Sequence, residues 1–284
     1  MIDQKSDTVY AGSVPKLYEE YLVPLVFAPY APDMVKRLEG RSISRLLEVA
    51  AGTGVVTRAL AETLPADVEI VATDLNEGMI EHAQSIGTKR AVEWQQADAM
   101  ALPFPDESFD SVVCQFGVMF FADKVKAFAE VRRVLRPAGI FIFSVWDRIE
   151  ENEFAHIVTT AIASLFPDNP PRFHARVPHG YHSPEQIERD LAAGGFKNKP
   201  EIETVVKESR AKAPRVPAMA YCQGTPLRNE IEERDEMLLS DATTLATKAL
   251  TEKFGNANIV GKIQALVVTV TKEPAGTPET NQPR

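Results

Sequence analysis

Residues 46–60, LLEVAAGTGVVTRAL, pass from an apolar run through one acidic residue and a glycine pair into a helix-forming run. That order predicts a buried strand ending near Glu48, a tight turn over Gly52 and Gly54, and a helix continuing through Thr57 to Ala61. Glycine at the two turn positions lets the backbone bend sharply and approach a ligand with no side chain in the way. A nucleotide-type ligand loop is the chemical reading of this segment, and an ordinary packing turn is the bland one.

Outward from the loop, strand-like and helical runs alternate from Arg41 to Asp147. ISRLLEVA (43–50) precedes the helix VVTRALAETL, VEIVATDL (68–75) precedes NEGMIEHAQSI, and AVEWQQAD (91–98) leads into the loop ALPFPDESF. DSVVCQFGVMF (110–120), the helix DKVKAFAEVRRVL, a turn at RPAG (136–139) and IFIFSVWD (140–147) complete the series. Strands separated by single helices imply right-handed crossovers and a parallel, doubly wound α/β sheet, with ligands bound beyond the carboxyl ends of the strands.

The expected strand ends carry Glu48, Asp74, Asp98 and the segment Gln115 to Gly117. Asp74 follows Gly54 by 20 residues, the spacing at which a carboxylate can accept hydrogen bonds from ribose hydroxyls. Helix capping is the alternative role for Asp74, and Asn76 could equally serve as that cap. A nicotinamide site would place a third glycine where Thr57 stands, at a helix N-terminus facing a pyrophosphate. Three carboxylates converging there would repel a pyrophosphate and suit a ligand with cationic groups, which favours the sulfonium and ammonium of S-adenosylmethionine.

EVAAGTG (48–54), VATDLNEGMI (71–80), ADAMALPFPDESFDSVVCQFGVMFF (97–121) and AEVRRVLRPAGIFIFSVWD (129–147) together resemble the class I S-adenosylmethionine-dependent methyltransferases. The nearest group is the small-molecule branch that includes ubiquinone/menaquinone-biosynthesis-like enzymes. The resemblance implies a Rossmann-like sheet of seven strands, the last antiparallel, with S-adenosyl-L-methionine as cofactor and S-adenosylhomocysteine as product. It further implies that Glu48 and the backbone of Ala50, Gly52, Thr53 and Gly54 hold the methionine moiety, with Glu48 near the ammonium through water or a backbone amide. Asp74 would bind the ribose, and Leu75 and Met79 would pack on the adenine. Asp98 would face the adenine amino group, the Ala99 amide a ring nitrogen, and Gln115 the methyl-donor end. A helix before the first strand would cover the cofactor, with Tyr18, among Tyr10, Tyr18, Tyr21 and Tyr30, as the residue reaching the methionine carboxylate. Two positions depart from the pattern: Ala50 replaces the first glycine of the loop, and Ala138 a glycine of the usual Pro-Gly-Gly turn. With regular backbone angles, either alanine would still allow close approach.

The remaining chain reads as one domain over 1–284: cofactor-covering helices at 1–40, the binding core at 41–147, lid insertions at 148–182 and 214–257, further sheet at 183–213 and 258–272, and a tail at 273–284. ENEFAHIVTTAIASLF (151–166) is amphipathic; PDNPPRFHARVPHGYHS then reads as a long loop, and SPEQIERDLAAGGF opens on a Ser183 cap and stops at Gly194-Gly195. The first insertion carries His156, His174, His179 and His182, each a candidate base, although loop histidines are usually solvated. Arg172, Arg176 and Arg228 are candidates for a substrate carboxylate. Phe166, Phe173, Tyr181, Phe196 and Tyr221 suggest an apolar or aromatic small-molecule acceptor, or simply core.

With 31 basic and 40 acidic residues the net charge is −9, which disfavours nucleic acid as a partner. Cys114 and Cys222 sit in no metal-ligand or disulfide pattern and are expected as buried thiols. No apolar run approaches a membrane span and the first residues lack a leader pattern, so a cytoplasmic protein is expected. A nicotinamide-dependent oxidoreductase and a non-catalytic S-adenosylmethionine-binding protein are the competing readings. Acceptor atom and oligomeric state stay open.

Overall fold

The inner strands of the central sheet are apolar and buried on both faces, and the chain winds helices over them accordingly. In a computed structural model, which describes residues 17–275, strands β1 (Arg45–Val49), β2 (Glu69–Asp74), β3 (Glu93–Gln96), β4 (Phe109–Gln115), β5 (Leu135–Trp146), β6 (Glu201–Ala211) and β7 (Ile259–Thr271) form one sheet of order β3-β2-β1-β4-β5-β7-β6. The first five strands pair in parallel, and β7 enters between β5 and β6 antiparallel to both. Tyr10 and the tail beyond residue 275 lie outside the described residues.

Helices α3 (Val55–Thr63), α4 (Glu77–Ile86) and α5 (Lys124–Val134) make the crossovers. On β1, Leu47 and Val49 join the larger core layer with Phe128, Phe141 and Phe143, while Leu46 joins Val56, Leu60 and Ile70 on the opposite face. Glu48 therefore shares the Leu46 face, the one covered by α3, because successive strand side chains alternate. Burying each of the three core phenylalanines is worth about 1.5–3 kcal/mol. Helix α5 starts on Asp123, which accepts from the Lys126 N–H at 2.9 Å. Helix α8 (Pro184–Ala193) starts on Ser183, which accepts from Gln186 at 3.2 Å.

Before the sheet, α1 (Tyr18–Phe27) is wound as a π-helix around an internal Pro24 and ends with the Ala28 N–H donating to Val23 at 2.9 Å. Pro24 has no N–H to give, which fits a segment whose hydrogen bonds step over five residues. After α2 (Ala31–Lys36) the chain enters β1. Helices α6 (Glu153–Ala163) and α7 (Phe173–Arg176) lie between β5 and β6, and α9 (Arg215–Gln223), α10 (Leu227–Glu232) and α11 (Leu239–Phe254) between β6 and β7, with α11 packed on α6 and α9, and α9 on α1.

Several local expectations are corrected. The turn at RPAG lies inside β5, where the ladder jumps from Phe109↔Leu135 to Ser111↔Ile140 and absorbs the extra residues as a bulge. Ala138 sits there at φ 62°, and Ala50 at φ 56°, so neither alanine has the regular angles assumed for it. The segment after residue 166 is not all loop, since α7 interrupts it. Tyr30 is buried, and its hydroxyl donates to the Val205 carbonyl at 3.1 Å. Both cysteines are buried free thiols.

Candidate functional site

At the carboxyl ends of β1, β2 and β4, where the sheet order reverses, a cleft of about 640 Å³ opens, the position at which doubly wound sheets bind ligands. Asp74, the last residue of β2, is buried at its floor. Its Oδ2 accepts from the Gly52 N–H and its Oδ1 from the Asn76 N–H, each at 2.8 Å. Burial raises its pKa, and the amides of Asn76 and Gly52 pull the other way. Each carboxylate oxygen keeps a further lone pair for a ligand hydroxyl. Asn76 occupies the N-cap position of α4 without a side-chain cap bond, so Asp74 is not the cap residue and its carboxylate instead ties the end of β2 to the glycine loop.

Of the residues singled out in the sequence, Tyr18, Ala50, Gly52, Asp74, Leu75, Met79, Asp98, Ala99 and Gln115 all line this cleft. Leu75 is 51% exposed, an apolar side chain left at the cleft mouth, whereas Met79 is buried. Asp98 accepts from the Met100 N–H at 2.8 Å, bracing the loop it begins. Gln115 donates Nε2–H to the Phe27 carbonyl at 3.2 Å, while its Oε1 is buried without a hydrogen-bond partner.

Glu48, Thr53 and Gly54 do not reach the cleft wall. Glu48 points under the loop, where its Oε2 accepts from the Thr57 hydroxyl at 2.6 Å. Burial pushes its pKa up to about 8; the Thr57 bond and Arg58 oppose this and Asp74 reinforces it. Two carboxylates rather than three therefore face the ligand space from the strand ends, and the charge argument against a pyrophosphate rests on Asp74 and Asp98. The two loop glycines also divide their work. A Cβ on Gly52 would meet only the Tyr18 hydroxyl at 4.0 Å, whereas one on Gly54, at φ +84°, would lie 2.9 Å from the Trp94 ring. Gly52 thus keeps the ligand side open, and Gly54 lets α4 and β3 pack against the loop. Helix α1 is tied over the loop by Arg58, which donates to Glu19 at 2.8 Å and to the Thr53 carbonyl at 2.6 Å.

The sequence placed Gln115 to Gly117 at a strand end but gave no role to the run that follows, yet Phe116, Gly117, Met119, Phe120 and Phe121 all line the cleft. Phe116 holds φ 55°, a conformation that an aromatic residue adopts at a cost and keeps only where the surroundings impose it. Its N–H donates to the Ser144 carbonyl at 3.0 Å, and its ring stacks on Trp146 at 3.7 Å between centroids. A Cβ on Gly117 would come within 2.5 Å of the Ala50 Cβ and 2.8 Å of the Cys114 Sγ, so the β4 end and the loop touch there without room for a side chain.

Through Tyr18, Phe116 and Phe120 the cleft adjoins a second cavity of about 60 Å³, lined also by Phe27, Trp146, Phe173, His174, His179 and Tyr221. Phe173 and Tyr221 among the singled-out aromatics, and His174 and His179 among the histidines, thus line the cavity. His156 is exposed, and His182 contacts the His179 carbonyl at 2.8 Å outside the cavity lining. Phe196 stacks on Phe141, and the Tyr181 hydroxyl donates to Asp190 at 2.8 Å. Arg176 lines the cleft while pairing with Glu230 at 2.9 Å; Arg228 pairs with Glu232 at 2.8 Å.

A seven-stranded sheet of this order with a carboxylate-floored cleft at its switch point is the architecture of the class I methyltransferases. Residues 47–143 match the family model described as "Methyltransferase domain", so this part of the chain is similar to methyltransferases in sequence as well as in fold. The demethylmenaquinone methyltransferase of Deinococcus radiodurans is 44% identical over 97 residues, 34% of this chain and 40% of that protein. The ubiquinone/menaquinone biosynthesis C-methyltransferase UbiE of Enterobacter sp. (strain 638) is 32% identical over 164 residues, 49% of this chain and 65% of that one. The crystal structure of YcgJ from Bacillus subtilis shares the fold at 21% identity, with a TM-score of 0.55 over 86% of this chain and 98% of that chain. The chain thus spans 40% and 65% of the length of the two curated relatives. The donor set fits the cofactor of the class: acceptors on Asp74, Asp98 and the unpartnered Gln115 Oε1 suit hydroxyl, amino and ammonium hydrogens. Among the described residues no helix is long and apolar enough to cross a membrane.

Proposed function

We propose that this protein transfers a methyl group from S-adenosylmethionine to a small apolar or aromatic acceptor by in-line displacement. The observation that carries the reading is Asp74, fixed by the Gly52 and Asn76 amides with lone pairs directed to a cleft that opens onto an aromatic cavity. The cofactor supplies a methyl group activated by a sulfonium. Asp74 holds ribose hydroxyls, Asp98 and the Ala99 amide meet the adenine edge, and Leu75 and Met79 flank its ring. Gln115 lines the methyl-donor end, and Tyr18 on α1 closes the methionine end. The aromatic walls contributed by Phe116, Phe120 and Trp146 seat the acceptor and keep water from the reacting atoms, so the protein acts chiefly by alignment and exclusion. We also read the insertions at 148–182 and 214–257 as the cover that gives the site its acceptor specificity.

Calorimetric titration with S-adenosylmethionine, S-adenosylhomocysteine and NAD tests this reading, followed by a labelled-methyl transfer assay against a panel of aromatic acceptors. Binding of the first two ligands with labelled product is expected. Tight NAD binding with neither of the others would overturn it, and cofactor binding without transfer to any acceptor would support a non-catalytic binding protein.

A further inference from the structure

Polar groups lining the aromatic cavity divide into those already satisfied and those left open. Asn152 donates to the carbonyls of Arg148 and Gln264, each at 3.2 Å, and accepts from the Gln264 N–H at 3.1 Å. The Thr225 hydroxyl donates to the Tyr221 carbonyl at 2.7 Å, so towards His174 Nε2 at 3.2 Å it can only accept. His174 therefore carries its proton on Nε2, and its Nδ1 takes the Thr159 hydroxyl at 3.3 Å. Both nitrogens of that ring are spoken for.

His179 is arranged differently. Its Nδ1 lies 2.8 Å from the Asp147 carbonyl oxygen, which has no hydrogen to offer, so Nδ1 is the protonated nitrogen and Nε2 presents a lone pair. Burial holds the ring's pKa down, to about 4, with His182 adding to the effect and the Asp147 carbonyl, Glu150 and Asp147 opposing it. The ring is thus neutral near pH 7. Neither Nε2 nor the Tyr221 hydroxyl has a hydrogen-bond partner among the described residues, although both residues are only 6% exposed and both line the cavity. Unpaired polar groups in an apolar enclosure cost free energy, which a ligand with the complementary group recovers.

We infer that His179 Nε2 and the Tyr221 hydroxyl form a polar end within the aromatic cavity that selects an aromatic molecule bearing a hydroxyl group, the O–H donating to His179 Nε2. A flat ring is favoured by the walls, where Phe116 stacks on Trp146 and Tyr221 meets His174 edge-on at 5.2 Å. Donor specificity follows from the tautomer: a lone pair at Nε2 rewards an O–H and gives nothing to a methyl of the same size. The inference rests on the reading that this cavity receives the methyl acceptor, and it makes His179 a specificity-determining residue.

Phenol and toluene, which differ by a hydroxyl against a methyl, separate the possibilities when titrated into the full chain saturated with S-adenosylhomocysteine. His179→Leu is expected to weaken phenol by about tenfold, the worth of one buried hydrogen bond, and to leave toluene within about twofold. Tyr221→Phe, which removes a single oxygen, should weaken phenol by a smaller factor and spare toluene. In the unsubstituted protein, phenol should shift the ¹⁵N resonance of His179 Nε2, and toluene should not. Equal effects of the substitutions on both probes, an unmoved resonance, or no saturable binding of phenol would overturn the inference. Loss of S-adenosylhomocysteine binding in the unsubstituted protein would instead remove the methyltransferase reading itself.

Discussion

Replacing Glu48 with glutamine should change how stability depends on pH, by an amount the structure sets. The side chain is fully enclosed beneath the loop, keeps one bond from Thr57, and titrates near 8 against an ordinary 4.5. Its folded pKa is the raised one. Its protonated form therefore stabilises the native state fully below about 4.5, and that contribution is lost as pH climbs through about 8. Between pH 5 and pH 8 the loss amounts to about 3 to 4 kcal/mol, from about 1.4 kcal/mol per pH unit while the native state alone holds the proton. Glutamine keeps an acceptor for Thr57 and does not titrate. Urea denaturation of both proteins at several pH values should give a difference that moves in the variant's favour by that amount as pH rises. A difference that stays constant across the range would refute the assignment of a protonated, buried Glu48.

Other perturbations address the cleft and the loop. Asp74→Ala removes charge-assisted bonds worth about 1.5 to 3 kcal/mol each, so S-adenosylhomocysteine affinity measured by calorimetry should fall at least about tenfold; unchanged affinity would move the cofactor elsewhere. Gly54→Ala places a Cβ 2.9 Å from the Trp94 ring at a φ of +84° and should cost at least about 1 kcal/mol by chemical denaturation, combining left-handed strain with a clash. Arg133 donates to the carbonyls of Phe104 and Leu102 at 2.7 and 2.9 Å, so Arg133→Ala should raise amide exchange across residues 98–106 more than in β1.

Much of the sheet was readable because buried parallel strands are continuous apolar runs, and the Gly54-to-Asp74 spacing singled out a carboxylate that the fold sets in the cleft. Facing was not readable. In LLEV alternation puts Glu48 on the Leu46 face, but with every position buried nothing in the pattern says that this is the face covered by α3. Backbone conformation was equally hidden: alanines at 50 and 138 occupy left-handed angles that their chemistry disfavours, and only the surrounding contacts impose them. The aromatic cavity joins α1, the end of β4, and residues from both insertions, up to 207 positions apart between Tyr18 and Thr225. No local period encodes such a meeting, and the proline at 24 gave no sign that the covering helix would be wound on a five-residue step.

The contact between Ala50 and Gly117 reaches into how this sequence can drift. Each position is constrained by its occupant on the other strand end: a side chain at 117 would strike the Ala50 Cβ and the Cys114 sulfur. Substitution at 117 should therefore be punished more heavily in this background than in one with glycine at 50, where one of those two obstructions is gone. The order of mutations then matters. A lineage starting from glycine at 50 can explore position 117 first, whereas one that has already acquired Ala50 has made its neighbour's glycine hard to give up, a small ratchet set by a single methyl group.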